Sequence, residues 1–174
     1  NTNLSIPIPA AGTTFLSSRG WTSVDVVGKH HASFRFINTH LEAFHPLVRL
    51  AQAQELLAGP VGTAPGPVVL LGDINSGPDL PVPENRLAYQ ALIAGGVVDT
   101  WPILHPGDPG FTSSLGDDLV DPPDALEHRI DMIMFVGAVE PKRSWLTGND
   151  PRNRTESGLW PSDHLGHVAV LKID

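Results

Sequence analysis

A chain of 174 residues that is 41% hydrophobic and 17% charged can bury a real core, roughly 70% of the unfolded surface at this size, and is neither disordered nor a coiled coil. It has no cysteine, which excludes a disulfide framework, a thiolate nucleophile and a zinc–thiolate centre but leaves the compartment open, secreted or cytoplasmic; no apolar run is long enough to cross a bilayer. The net charge of −8 counts against sequence-independent grip on a nucleic-acid backbone, which needs clustered Lys and Arg. One such cluster exists, at Lys142, Arg143, Arg152 and Arg154, and reads either as a solvated loop or as a phosphate clamp.

Residues 1–14 are polar and proline-bearing and read as a loose lead-in. Trp21–Val27 and Ser33–Thr39 read as strands around a turn near Gly28 and Lys29. In the second strand Phe34, Phe36, Asn38 and His40 share a face by the two-residue period, so two aromatics anchor it while an amide and an imidazole emerge at its end. A helix starts at His45-Pro46, with Leu47, Leu50, Ala53 and Leu57 inward, Arg49 and Glu55 toward solvent, and a stop at Gly59-Pro60. Val68–Leu71 is wholly apolar, as in a strand covered on both faces, and Asp73 follows through a glycine that permits a tight turn. A second helix is expected over Glu84–Ala94, ended by Gly95-Gly96. Residues 101–124 form a long connection rich in Pro, Gly and Asp, of the kind that is usually functional. Strands over Arg129–Phe135, Val139–Leu146 and Gly166–Ile173 complete an α/β layer fold, the last closing the sheet.

Polar residues stand at the ends of these apolar runs: Asn38-Thr39-His40-Leu41, Gly72-Asp73-Ile74-Asn75, Arg129-Ile130-Asp131 and Ser162-Asp163-His164. A carboxylate after a buried strand is costly unless partnered, and Asp73 reads either as a turn aspartate or as half of a site converging with Asn75. Asp131, on a strand of Ile, Met and Phe, needs a donor, and an imidazole suits it. An Asp131–His164 pair would raise the histidine pKa and donate to a phosphate oxygen as charge grows. Arg19, at a strand entry, serves as a phosphate ligand or an edge ion pair, and Glu42 either orients His40 or faces water. Trp145 and Trp160 flank the loop into Ser162-Asp163-His164, as groove lining or structure.

Taken in order, these stretches resemble the endonuclease/exonuclease/phosphatase superfamily of metal-dependent phosphoesterases, from about Arg19 to the end of the chain. The resemblance implies half of a four-layer α/β/β/α sandwich, one domain over residues 1–174, with the N-terminal half absent. The family's opening strand with its Asn, and the metal-binding Glu after it, have no counterpart in the chain. A companion N-terminal half, from the same precursor or a second chain, is therefore an expectation, and hydrolysis is expected only in its presence. The resemblance also implies a single in-line displacement at phosphorus with Mg²⁺ or Mn²⁺, hard ions suited to oxygen ligands. In it Asp73 orients the attacking water, Asn75 and His40 touch the phosphate, Asp131 orients His164, and Asp163 with Asp73 holds the metal. The substrate is a phosphoester, nucleic acid or small phosphodiester. A phospholipid phosphodiesterase of the sphingomyelinase type and a non-catalytic interaction module are the alternatives.

Overall fold

The computed structural model describes residues 4–8, 13–28 and 32–173. The chain begins with a hairpin of β1 (Leu4–Ile8) and β2 (Thr13–Ser17), antiparallel with Leu4 opposite Ser17, where a loose lead-in was expected. The proline-rich wording hid it, because a two-stranded hairpin tolerates proline as a buried strand does not. The expected turn at Gly28 and Lys29 falls partly outside the described residues.

A five-stranded sheet carries the molecule, built from β3 (Trp21–Val27), β4 (Ser33–His40), β5 (Val68–Asp73), β6 (Val98–Asp99) and β7 (Asp131–Val136) in the order β3-β4-β5-β7-β6. Only β4 and β5 run parallel; the crossover between them contains α1 (Pro46–Leu56). Ile37, Leu70 and Met134 face one another across β4, β5 and β7 and have no exposed surface. Onto this face pack Ala53 and Leu56 of α1 and Ala88 and Leu92 of α2 (Leu87–Ala94). Each fully buried Leu, Ile or Met side chain here contributes about 1.5–3 kcal/mol of transfer free energy. On the opposite face Val69 and Phe135 are also buried, so β5 is covered on both sides over Val68–Leu70.

Gly72 sets the end of β5. It has φ +137, and a Cβ there would lie 1.8 Å from the Thr39 carbonyl oxygen. Only glycine lets the two strands approach this closely just before Asp73.

Three expectations are corrected. The inner face of α1 is Arg49, Gln52, Ala53 and Leu56, while Leu47 is 59% exposed. Arg49 is buried because its guanidinium finds backbone carbonyls beneath the helix, which outweighs the cost of desolvating it. The stretch expected as one helix from Glu84 divides into a 3₁₀ turn over Pro83–Arg86 and α2 proper. The last strand, β9 (Gly166–Ile173), does not close the main sheet; it pairs antiparallel with β8 (Val139–Thr147) as a separate two-stranded sheet. The result is a mixed α/β fold with helices on one face of the main sheet.

The long connection is not structureless. It opens with a short helix, α3 (Trp101–Leu104), and Trp101 is buried with its ring stacked on His105 at 4.1 Å. Arg129 and Asp99, both buried, pair at 2.6 Å and tie the end of this connection to β6. A bridge between Ser113 and His128 then brings Thr112 and Ser113 to the mouth of β7.

Candidate active site

The ladder places His40, Asp73 and Asp131 in one row. His40 is the partner of Asp73 across β4 and β5, and Asp73 the partner of Asp131 across β5 and β7. Side chains in such a row share a face and lie within reach of each other. His40 Nε2 stands 3.3 Å from Asp73 Oδ2. A cleft of about 220 Å³ opens beside the row, with Asp73, Asp131, Leu165 and His167 in its walls.

Asp131 is held from two sides. Its Oδ2 accepts from His164 Nδ1 at 2.8 Å and from the Thr112 hydroxyl at 2.7 Å, and Thr112 is wholly buried. The expected Asp131–His164 pair is therefore present. The Asp131 hydrogen bond holds the His164 pKa above its ordinary value; burial opposes it, and the charges of Asp131, Asp73 and Asp163 assist. Ser113 Oγ lies 3.2 Å from the other ring nitrogen, Nε2. Thr112 and Ser113 were not singled out in the sequence, although their long connection was; an isolated Thr-Ser carries no signal until the chain folds back.

Asp73 is shifted in the same direction for a different reason. Burial, and then the neighbouring Asp131 charge, push its carboxyl above the usual range, and the Asn75 amide and the two histidines pull back. Asn75 adopts φ 52, a conformation Asn tolerates; its backbone N–H donates to Asp73 Oδ1 at 2.8 Å and its carboxamide to the Leu41 carbonyl at 3.0 Å. The carboxamide thus has one N–H already committed.

The remaining candidates are placed as follows. Arg19 reaches His40 Nδ1 at 3.5 Å and Glu42 Oε2 at 3.9 Å. Glu42 neither orients His40 nor faces water: it has no exposed surface and accepts from the Ser17 hydroxyl at 2.7 Å and the Phe44 amide at 2.9 Å. Asn38 is exposed on β4 two residues before His40. Asp163 is half exposed, with Oδ2 4.0 Å from His164 Nε2.

Ligand atoms of Asp73, Asp131 and His164 lie within 4.8 Å of one another, a grouping that can hold a cation. Among the described residues Asp163 is outside that group. The two carboxylates suit a hard divalent ion, and the imidazole is a ligand shared with first-row transition metals.

The basic cluster is mostly engaged locally. Lys142 pairs with Glu140, and Arg152 with Asp150 at 2.5 Å. Arg154 donates to the carbonyls of Asp121 at 2.6 Å and Gly158 at 3.1 Å, and covers the ring of Trp160 at 4.2 Å. Trp160 is buried, with its indole N–H on the Asp121 carbonyl at 2.6 Å, so it braces the loop; Trp145 is 44% exposed.

Comparison with known proteins agrees with this geometry. The model of the Endonuclease/Exonuclease/phosphatase family matches residues 5–164. No curated protein matches. Among solved structures, an endonuclease/exonuclease/phosphatase from Beutenbergia cavernae superposes with a TM-score of 0.64 at 22% identity, over 99% of this chain and 45% of its own. A humanized TDP2 of D. rerio gives 0.68 at 22% identity, over 98% of this chain and 66% of its own. An AP endonuclease from Archaeoglobus fulgidus gives 0.65 at 22% identity, over 79% of this chain and 61% of its own. The chain thus spans about half to two thirds of the length of these structures. The family match begins at residue 5, ahead of the Arg19 expected from the motifs, and gives no support to a companion N-terminal half. With the family model covering nearly all its residues, the chain belongs to the endonuclease/exonuclease/phosphatase family, whose members hydrolyse phosphoester bonds.

Proposed function

We propose that this chain hydrolyses a small phosphoester, a phosphodiester first of all, by in-line attack of water. The observation that carries the reading is the His40–Asp73–Asp131 row with His164 docked on Asp131 at 2.8 Å. Asp73, at the end of β5 with His40 Nε2 3.3 Å from its Oδ2, orients the attacking water or takes its proton. His164, biased toward the imidazolium by Asp131, donates to a non-bridging oxygen as charge accumulates. Asn75 presents its remaining carboxamide N–H, and His40 and Arg19 flank the phosphate from the β4 side. Asp163 and Asp73 would hold Mg²⁺ or Mn²⁺ through their carboxylate oxygens. When bound, that ion neutralises the phosphate and polarises the reacting phosphorus.

A second reading of the metal site is favoured by one observation, the proximity of the Asp73, Asp131 and His164 ligand atoms. Against it, Asp131 Oδ2 is already engaged by two donors, which leaves Oδ1 as the oxygen open to a cation. The preference for a small substrate rests on the net charge of −8 and on the local engagement of Lys142, Arg152 and Arg154.

The test is turnover of bis(4-nitrophenyl) phosphate by residues 1–174 in millimolar Mg²⁺ or Mn²⁺. Chelation abolishes it. Asp73→Asn and His164→Ala each lower kcat by about 10²–10⁴-fold, the range of a positioned acid or base, with folding intact by circular dichroism. Undiminished turnover in either variant, or in excess chelator, overturns the mechanism.

A further inference from the structure

Arg49 is a buried cation whose nearest acceptors are backbone carbonyls. It is 3% exposed, and its guanidinium reaches three separate segments. Nε donates to the Glu42 carbonyl at 2.6 Å and Nη2 to the Ala43 carbonyl at 2.8 Å, both in the loop that leaves β4 after His40. Nη1 donates to the Asn75 carbonyl, in the turn that carries Asp73, and lies 3.4 Å from the Asn85 carbonyl ahead of α2. One helical turn further on, Gln52 accepts the Glu42 backbone N–H at 2.8 Å. Burial pulls the Arg49 pKa down, and the charges of Asp73 and Glu42 restore part of it.

Packing alone does not account for this. Filling the space under α1 needs only an apolar side chain, and burying a guanidinium there costs free energy that its hydrogen bonds must offset. What the planar fork supplies is simultaneous donation to carbonyls of different segments, which the compact ammonium of lysine cannot reproduce. One of those carbonyls belongs to Asn75, held at φ 52 with its N–H on Asp73 Oδ1. The turn is pinned at both of its peptide groups, one by Arg49 and one by Asp73.

We infer that Arg49 is a positioning residue: its guanidinium locks the Asp73–Asn75 turn against the end of β4 and acts on turnover through Asn75, without touching substrate. The inference rests on the phosphoesterase reading for its kinetic consequence, and on geometry alone for the clamp. A misplacement near 1 Å costs about 10²-fold in rate, so loosening this turn lowers kcat more than KM.

The experiment compares the wild-type chain with Arg49→Lys, Asn75→Ala and the double variant. Arg49→Lys, folded at the assay temperature by its unfolding midpoint, is expected to lose about 10–100-fold in kcat on bis(4-nitrophenyl) phosphate, with KM changed less than about twofold. In the Asn75→Ala background the same change is expected to cost less than about threefold, because neighbours acting as one unit are not additive. Amide hydrogen exchange at Asn75 is expected to accelerate at least about tenfold in Arg49→Lys while Leu70 and Met134 keep their rates. Wild-type kcat in Arg49→Lys, or equal losses in both backgrounds, overturns the inference. If the wild-type chain shows no turnover, the phosphoesterase reading fails, and the exchange rate at Asn75 still decides the clamp. If Arg49→Lys does not fold, the wild type decides it: core-like protection of the Asn75 amide supports the clamp, and the fast exchange of an open turn refutes it.

Discussion

Replacing Asp131 by Asn removes one charge from the site and almost no volume. His164 Nδ1 sits 2.8 Å from Asp131 Oδ2, and the two side chains are 28% and 21% exposed, so solvent screens the pair only in part. A hydrogen bond to a charged partner contributes about 1.5–3 kcal/mol against about 0.5–1.5 for a neutral one. The difference, about 1–1.5 kcal/mol before solvent screening, favours the protonated imidazole. In Asp131→Asn the imidazole should therefore titrate lower than in the wild type, toward the ordinary histidine value of about 6.5. The sign follows from linkage: the folded pKa is raised, so the pair's contribution is fully present below the unfolded value and is lost as pH rises through the folded one. The assay is an NMR titration of the His164 ring in chelated, metal-free protein, with the alkaline limb of the kcat profile as a second readout. That limb should move to lower pH by the same amount. A His164 titration displaced by less than about 0.3 unit would mean that Asp131 does not set the charge of this histidine, and the proposed donor role would fall with it.

Metal affinity separates the two ligand sets. Asp163→Asn should weaken Mn²⁺ binding about tenfold or more by calorimetry, and His164→Ala should leave it nearly unchanged; the reverse order would assign the cation to Asp73, Asp131 and His164. Leu70→Ala, which removes a side chain with no exposed surface, should cost about 2–5 kcal/mol in urea unfolding without altering kcat per folded molecule; a loss below about 1 kcal/mol would mean the core under β5 is looser than its packing implies.

Much of the scaffold was legible because periodicity survives translation into structure. The alternation over β4 put His40 at a strand end within a residue of that observed, and the apolar run before Gly72 put Asp73 at another, although β5 itself extends two residues further than expected, through Asp73. The Asp131–His164 pairing was legible for a different reason: a carboxylate on a strand of Ile, Met and Phe has to find a donor. The two-residue strand β6 and the β1–β2 hairpin were not, since neither is long or patterned enough to rise above its prolines and glycines. Thr112 was hidden for want of context, because its partner lies 19 positions away.

Arg49 marks the limit most plainly. By itself the sequence determined which residues would be apolar strand and helix, where the chain would turn, and that Asp73, Asp131, His164 and His40 would stand at strand ends. It assigned Arg49 to solvent, as charge on an amphipathic helix ordinarily is. Only the tertiary structure aligned His40, Asp73 and Asp131 in one row, because strand register is set by how β4, β5 and β7 pair and not by local pattern. Only the tertiary structure also gathered unpaired carbonyls from the loops after β4 and β5 beneath α1, where a guanidinium is the side chain able to satisfy several of them at once. Period and composition act within a few residues. Register and carbonyl satisfaction are settled between segments far apart in the chain, when the core closes.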